Sequence, residues 1–113
     1  MTELGDFDKY QIEARKTAIY PDLGENLWYP ALGLAGEAGE VCEKVKKVYR
    51  DNNGRITLDV INDIQRELGD VLWYVASLAS EIKISLSLIA QNNLGKLSDR
   101  AARDKVHGEG DKR

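Results

Sequence analysis

At 113 residues the chain is long enough to bury one core as a single domain over 1–113, without disulfide staples. Its one cysteine, Cys42, cannot form an intrachain disulfide; with no secretory leader and no apolar run near the roughly 18 residues of a membrane span, a cytoplasmic protein without membrane contact is expected. A formal net charge of −3 argues against binding of nucleic acid polymers, which wants a basic surface, yet leaves room for a nucleotide whose phosphates are held through metal ions or a small basic patch.

Two prolines and few alternating β-branched runs predict an all-α chain of four helices. The first is expected over about 6–20, with Phe7, Tyr10, Ala14 and Ala18 on one face and Pro21 as the stop. The second, over about 27–50, has the seam Leu34, Ala38, Val41, Val45, Val48, and carries Pro30 in its first turn, where a missing N–H costs little. Asp51-Asn52-Asn53-Gly54 then supplies a turn. The third, over about 57–82, has Thr57 as its cap and Ile61, Ile64, Leu68, Val71, Val75, Leu78 and Ile82 as its seam. The fourth starts at Ser85 and carries Leu86, Ile89, Asn93, Lys96 and Arg100 along one stripe. The glycine-rich, charged tail from about 104 reads as a loop that needs a partner to become ordered. Short connections suggest a four-helix bundle, and the long apolar faces of helices two and three suggest that oligomerisation completes its core.

The charges of GLAGEAGEVCEKVKK, residues 33–47, divide into two kinds. Glu40 and Glu43 each have a lysine four residues later, Lys44 and Lys47, in the favourable order that contributes roughly 0.2–0.5 kcal/mol per pair. Those charges read as a solvated face. On helix three, Asp63, Glu67, Asp70 and Tyr74 follow at steps of four, three and four, so they share one face beside the seam. Its acids are expected to find no base on their own helix, an arrangement that repulsion and desolvation disfavour unless a cation comes from elsewhere. On neighbouring antiparallel helices, Glu37/Glu40 and Glu67/Asp70 can converge into an all-oxygen cage for Mg²⁺ or Mn²⁺. Gly33, Gly36, Gly39 and Gly69 each cost about 1 kcal/mol in a helix interior, so they mark either close helix packing or room for a ligand.

The pattern Glu37-x-x-Glu40, 26 residues, Glu67-x-x-Asp70 resembles the signature of the MazG-like all-α nucleoside triphosphate pyrophosphohydrolases, small single-domain bacterial or phage type. YPALGLAGEAGEVCEKVKK, RELGDVLWYVASLA, NNLGKLSDR and the GEGDKR tail are similar to that family's successive blocks, so the likeness runs from about residue 8 to 113. It implies the family's four-helix all-α fold and a hydrolase that converts a (deoxy)nucleoside triphosphate to the monophosphate and pyrophosphate. It also implies Mg²⁺ or Mn²⁺ as cofactor, a dimer or tetramer with the site near a subunit junction, and a place in nucleotide-pool sanitation or remodelling.

By this resemblance Glu37, Glu40, Glu67 and Asp70 are metal ligands and catalytic acids, Lys96 and Arg100 meet phosphate oxygens, and Asn93 meets sugar or phosphate. Without the family, the stripe Asn93/Lys96/Arg100 is equally a snorkelling surface. Tyr74, one turn beyond Asp70, reads either as core or as a ring that stacks on a base or bonds a sugar. Trp28 and Tyr29 are further candidates for a base wall, Trp73 reads as packing or a subunit contact, and Cys42 as a small core residue. His107 reads as a solvated tail residue, and Lys112 and Arg113 as conceivable donors to a neighbouring subunit's site. Two rivals stand beside the hydrolase: a non-catalytic helical module that binds a metal or partner, and a relative specialised for a single dNTP or a phosphoribosyl-ATP-like substrate.

Overall fold

The computed structural model describes residues 4–103. It is all-α: α1 (Asp6–Lys16), α2 (Trp28–Asp51), α3 (Leu58–Glu81) and α4 (Leu86–Ala102). The expected caps are in place, with Thr57 Oγ1 accepting the Val60 N–H and Ser85 Oγ accepting the Leu88 N–H. Between α2 and α3 the chain reverses at Asn53 and Gly54, both at positive φ, and the Gly54 N–H closes back on the Val48 carbonyl.

The first helix is shorter than its sequence suggests. It ends at Lys16, well before Pro21, and Thr17 Oγ1 turns back onto the Ala14 carbonyl. The cause is Glu81, the last residue of α3, which is 7% exposed and gathers donors from the end of α1 and the segment that follows it. Its Oε2 accepts from Arg15 Nη2 at 2.7 Å, the Tyr20 hydroxyl at 2.5 Å and the Gly24 N–H at 2.9 Å; its Oε1 accepts from the Asn26 N–H at 2.8 Å. A helix running on through residue 20 would carry these donors away from Glu81. Asp22 and Gly24, at φ of 52° and 93°, make the turns that aim them inward.

The Asn26–Glu81 contact also fixes the register of the α2–α3 hairpin. Beyond it the antiparallel helices run at the same rise, about 1.5 Å per residue, so positions equally far from the contact face each other. Gly33 therefore meets Tyr74, Glu37 meets Asp70, and Lys44 shares a groove with Asp63. At the other face of α3, Ala14, Ala76 and Leu86 form a small core with Tyr10, Trp73 and Val75 around it. Gln11 clamps α1 to the α3–α4 turn by bonding Ser80, the Ile84 carbonyl and the Leu86 N–H.

The four helices do not close into a compact body within one chain. α4 turns 102° away from α3 and packs mainly on α1. The radius of gyration is 17.0 Å, against about 13 Å for a compact chain of 100 residues. Much of the expected seam is consequently open: Val45, Ile61, Leu68 and Ile82 are exposed, as are Phe7, Trp28 and Leu32. Cys42, expected in the core, is exposed as well, because α3 covers a different face of α2. No single described helix is long and apolar enough to cross a membrane.

Burial pushes the Glu81 carboxyl up, but bonds from Tyr20, Arg15, Asn26 and Gly24 outweigh it and hold its pKa down to about 2, from 4.5. A depressed carboxylate pKa contributes stability above the unfolded value, and that contribution is lost as pH falls from 4.5 through about 2. Glu81→Gln leaves Arg15 without its counter-charge and is expected to lower the unfolding free energy by about 3–5 kcal/mol at neutral pH. Acid titration followed by circular dichroism should show the wild type losing stability across that window and the variant losing less.

Candidate functional site

The register that Glu81 sets brings Glu37 of α2 against Glu67 and Asp70 of α3, with one carboxylate oxygen from each residue lying within 4.8 Å of the others. No described lysine or arginine forms an ion pair with any of the three. Burial first, then the charges of Asp70, Glu67 and Glu40 and a hydrogen bond with Glu67, hold the Glu37 carboxyl above its ordinary pKa. Glu40, also expected in the set, is exposed one turn along α2; its charge reaches Glu37, but its carboxylate stands outside the group of three.

Some other charges on these helices are paired locally, and three expectations differ from what forms: the expected Glu40–Lys44 ion pair is not made among the described residues, and two further pairings are changed. Glu43 pairs with Lys46 at 3.0 Å rather than with Lys47, and this bond chiefly holds its pKa down. Asp63 is not uncompensated, because Arg66, one turn on, forms an ion pair with it. Glu37, Glu67 and Asp70 thus converge without an ion pair to any described base, while Asp63 belongs to a second groove, of about 330 Å³, lined also by Lys44, Lys47 and Val48.

Tyr74 borders the acids. A groove of about 340 Å³ is lined by Glu37, Asp70, Tyr74, Trp73 and Thr17. The Tyr74 ring lies directly on Gly33, where an added Cβ would meet its atoms at 2.1–2.6 Å. Trp73 stands edge-on to it at 5.0 Å and donates its Nε1–H to Thr17 Oγ1. Tyr29 lies 6.4 Å from Tyr74 on the other side and stacks on Tyr20 at 4.6 Å. Burial, then the neighbouring Tyr29, raises the Tyr74 pKa, so its hydroxyl remains protonated at neutral pH. Trp28 stays outside this cluster and is 79% exposed.

Comparison with known proteins identifies the family. The sequence model of the MazG nucleotide pyrophosphohydrolase domain matches residues 30–103, a span that contains the three acids and all of α4. The chain belongs to the MazG nucleotide pyrophosphohydrolase family. It is also 50% identical over 111 residues to the gene 37 protein of Mycobacterium phage L5, covering 94% of this chain and 97% of that one. No solved structure is a significant match.

MazG domains generally depend on a divalent metal. The donor set fits one: it consists of carboxylate oxygens alone, which suit Mg²⁺ or Mn²⁺, and it concentrates negative charge that no described side chain cancels. The basic stripe is elsewhere. Asn93 and Lys96 line a groove of about 330 Å³ with Ile89 and Asn92, on a helix that leaves α3 at 102°. Arg100, on the same helix, is 3% exposed. His107, Lys112 and Arg113 lie outside the described residues.

Three participants were not singled out from the sequence. Thr17 lines the groove and anchors Trp73; Tyr10 sits close enough to Asp70 for that charge, after burial, to raise its pKa; Glu81 organises the adjoining loop. Only Glu81 left a signal, an acid placed four residues before the α4 cap and next to the apolar Ile82 and Ile84.

Glycine substitutions separate two roles. Gly33→Ala must displace the Tyr74 ring and is expected to cost about 1–3 kcal/mol. Gly36→Ala adds a Cβ that meets nothing in the chain and is expected to stabilise it by about 1 kcal/mol. Thermal unfolding of both variants checks the contrast. Glu67→Gln removes one of the converging charges and is expected to raise the melting temperature in metal-free buffer, while abolishing the stabilisation that added Mn²⁺ gives the wild type.

Proposed function

We propose that this MazG protein hydrolyses a (deoxy)nucleoside triphosphate to the monophosphate and pyrophosphate, in a Mg²⁺- or Mn²⁺-dependent reaction that sanitises or remodels a nucleotide pool. The observation that carries the reading is the convergence of Glu37, Glu67 and Asp70, with no ion pair to a described base, at the mouth of an aromatic-walled groove. Charges placed so close raise the energy of the folded chain unless a cation belongs there.

In this reading Glu37, Glu67 and Asp70 hold the metal, with Glu40 beside them, and these carboxylates orient the attacking water. The bound cation would supply polarisation of the phosphoryl oxygens and a water of lowered pKa. Tyr74, on the same groove, places the sugar or base, and its protonated hydroxyl is a donor for the sugar.

The triphosphate also needs cationic donors. Lys96 is assigned to its oxygens and the neutral amide of Asn93 to sugar or phosphate, but the α4 that carries them diverges from α3 in its own chain. A homo-oligomer, dimer or tetramer, resolves this by seating α4 of one copy near the acids of another. The same assembly covers the open apolar faces of α2 and α3. Arg100, buried in the chain, joins Lys96 only if assembly uncovers it.

The test is a panel of the common NTPs and dNTPs with Mg²⁺ or Mn²⁺, scored for pyrophosphate and monophosphate. Turnover of one or a few nucleotides is expected, with Glu67→Gln folded and slower by roughly a hundredfold or more. Metal binding without turnover across the whole panel would instead support the non-catalytic module.

A further inference from the structure

Glu81 lies eleven residues beyond Asp70 on α3, too far along the helix to touch a metal held by the acids. Its side chain is nevertheless the point on which one wall of their groove rests. Four donors from residues 15–26 converge on it, and one of them, the Tyr20 hydroxyl, belongs to a ring that reaches the groove's Tyr74 through Tyr29. Arg15 braces the same ring twice: Nη1 bonds the Tyr20 oxygen at 2.6 Å, and the guanidinium stands 5.6 Å from the ring centre. Tyr20 is thereby buried and held flat against Tyr29, at 14° between the ring planes. Tyr29 in turn flanks Tyr74, which Gly33 admits close to the backbone of α2. The backbone of the wall is tied to the same carboxylate, because Asn26 donates its N–H to Glu81 while its Oδ1 accepts from the Tyr29 N–H.

We propose that Glu81 is a positioning residue for the nucleoside end of the substrate, acting through Tyr20 and Tyr29 to fix the Tyr74 ring beside Glu37 and Asp70. The inference rests on the nucleotide-hydrolase reading and adds to it a specificity device remote from the reacting phosphates. A rigid ring discriminates between bases by stacking and sugar contact; a loose one accepts them more equally and binds each less well. Tyr20→Phe keeps the Asn26–Glu81 contact that sets the helix register, so loosening the wall at Tyr20 changes substrate placement and leaves metal binding alone, whereas Glu81→Gln releases the register as well.

The experiment uses the full chain and steady-state kinetics on the NTP and dNTP panel, with Mn²⁺ affinity measured separately. Tyr20→Phe keeps the ring stacked but removes the hydroxyl that bonds Glu81; Glu81→Gln removes the hub. Gln11→Ala, which loosens α1 at a clamp that touches none of these rings, is the control for general destabilisation. Assays are run at a temperature where circular dichroism shows all variants folded, so Tyr20→Phe carries the test if Glu81→Gln does not fold. The expected result is a KM for the preferred nucleotide raised on the order of tenfold and a narrowed preference among bases in Tyr20→Phe, with Mn²⁺ affinity and kcat within about twofold of wild type. Gln11→Ala should keep the wild-type KM and preference. Unchanged KM and preference in folded Tyr20→Phe, or equal changes in Gln11→Ala, would overturn the positioning role while leaving the hydrolase intact. A wild type that turns over no nucleotide would instead remove the hydrolase reading, and this inference with it.

Discussion

A buried carboxylate at the end of α3 sets the geometry on which the site depends. Glu81 needs several donors to remain ionised away from water, and it draws them from three different parts of the chain: the end of α1, the loop, and the residue that leads into α2. Satisfying that single group ends the first helix early and turns residues 20–26 inward. It also starts α2 opposite the end of α3. The hairpin register follows, and with it the pairing of Gly33 with Tyr74 and of Glu37 with Asp70.

The two carboxylate centres use opposite physics. At Glu81 a single charge is stabilised by the protein itself, which pulls its pKa down. At Glu37, Glu67 and Asp70 several charges meet with no ion pair to a described base, and the pKa of Glu37 moves up. A structural ion pair and a site left short of positive charge are thus told apart by the sign of the shift and by the identity of the neighbours. The acids left unneutralised are those expected to meet a divalent metal, while Asp63 and Glu43, satisfied by Arg66 and Lys46, belong to the helix surface.

The openness of the single chain bears on function in the same way. Gly36, Gly39 and Gly69 border space that no described residue fills, and apolar positions on α2 and α3 remain exposed. With α4 directed away from α3, the basic residues assigned to phosphate and the acids assigned to metal come from separate parts of the molecule. An assembled form would satisfy the apolar faces and bring opposite charges toward one substrate together.

Much was legible in the sequence because it depends on local rules. Caps at Thr57 and Ser85, the turn at Asn53-Gly54 and the four helices follow from short-range chemistry, and the paired acidic motifs mark three acids that do meet. The choice between the solvated and the functional reading of an acid needed distances across helices, which spacing along one helix does not contain. Cys42 and much of the seam look buried by periodicity but are exposed, because periodicity says which residues share a face and not whether another element covers it. The role of Tyr74 against Gly33, the early end of α1 and the hub at Glu81 were decided only in three dimensions, by contacts between residues 41 to 66 positions apart, whose energies no local window of sequence can express.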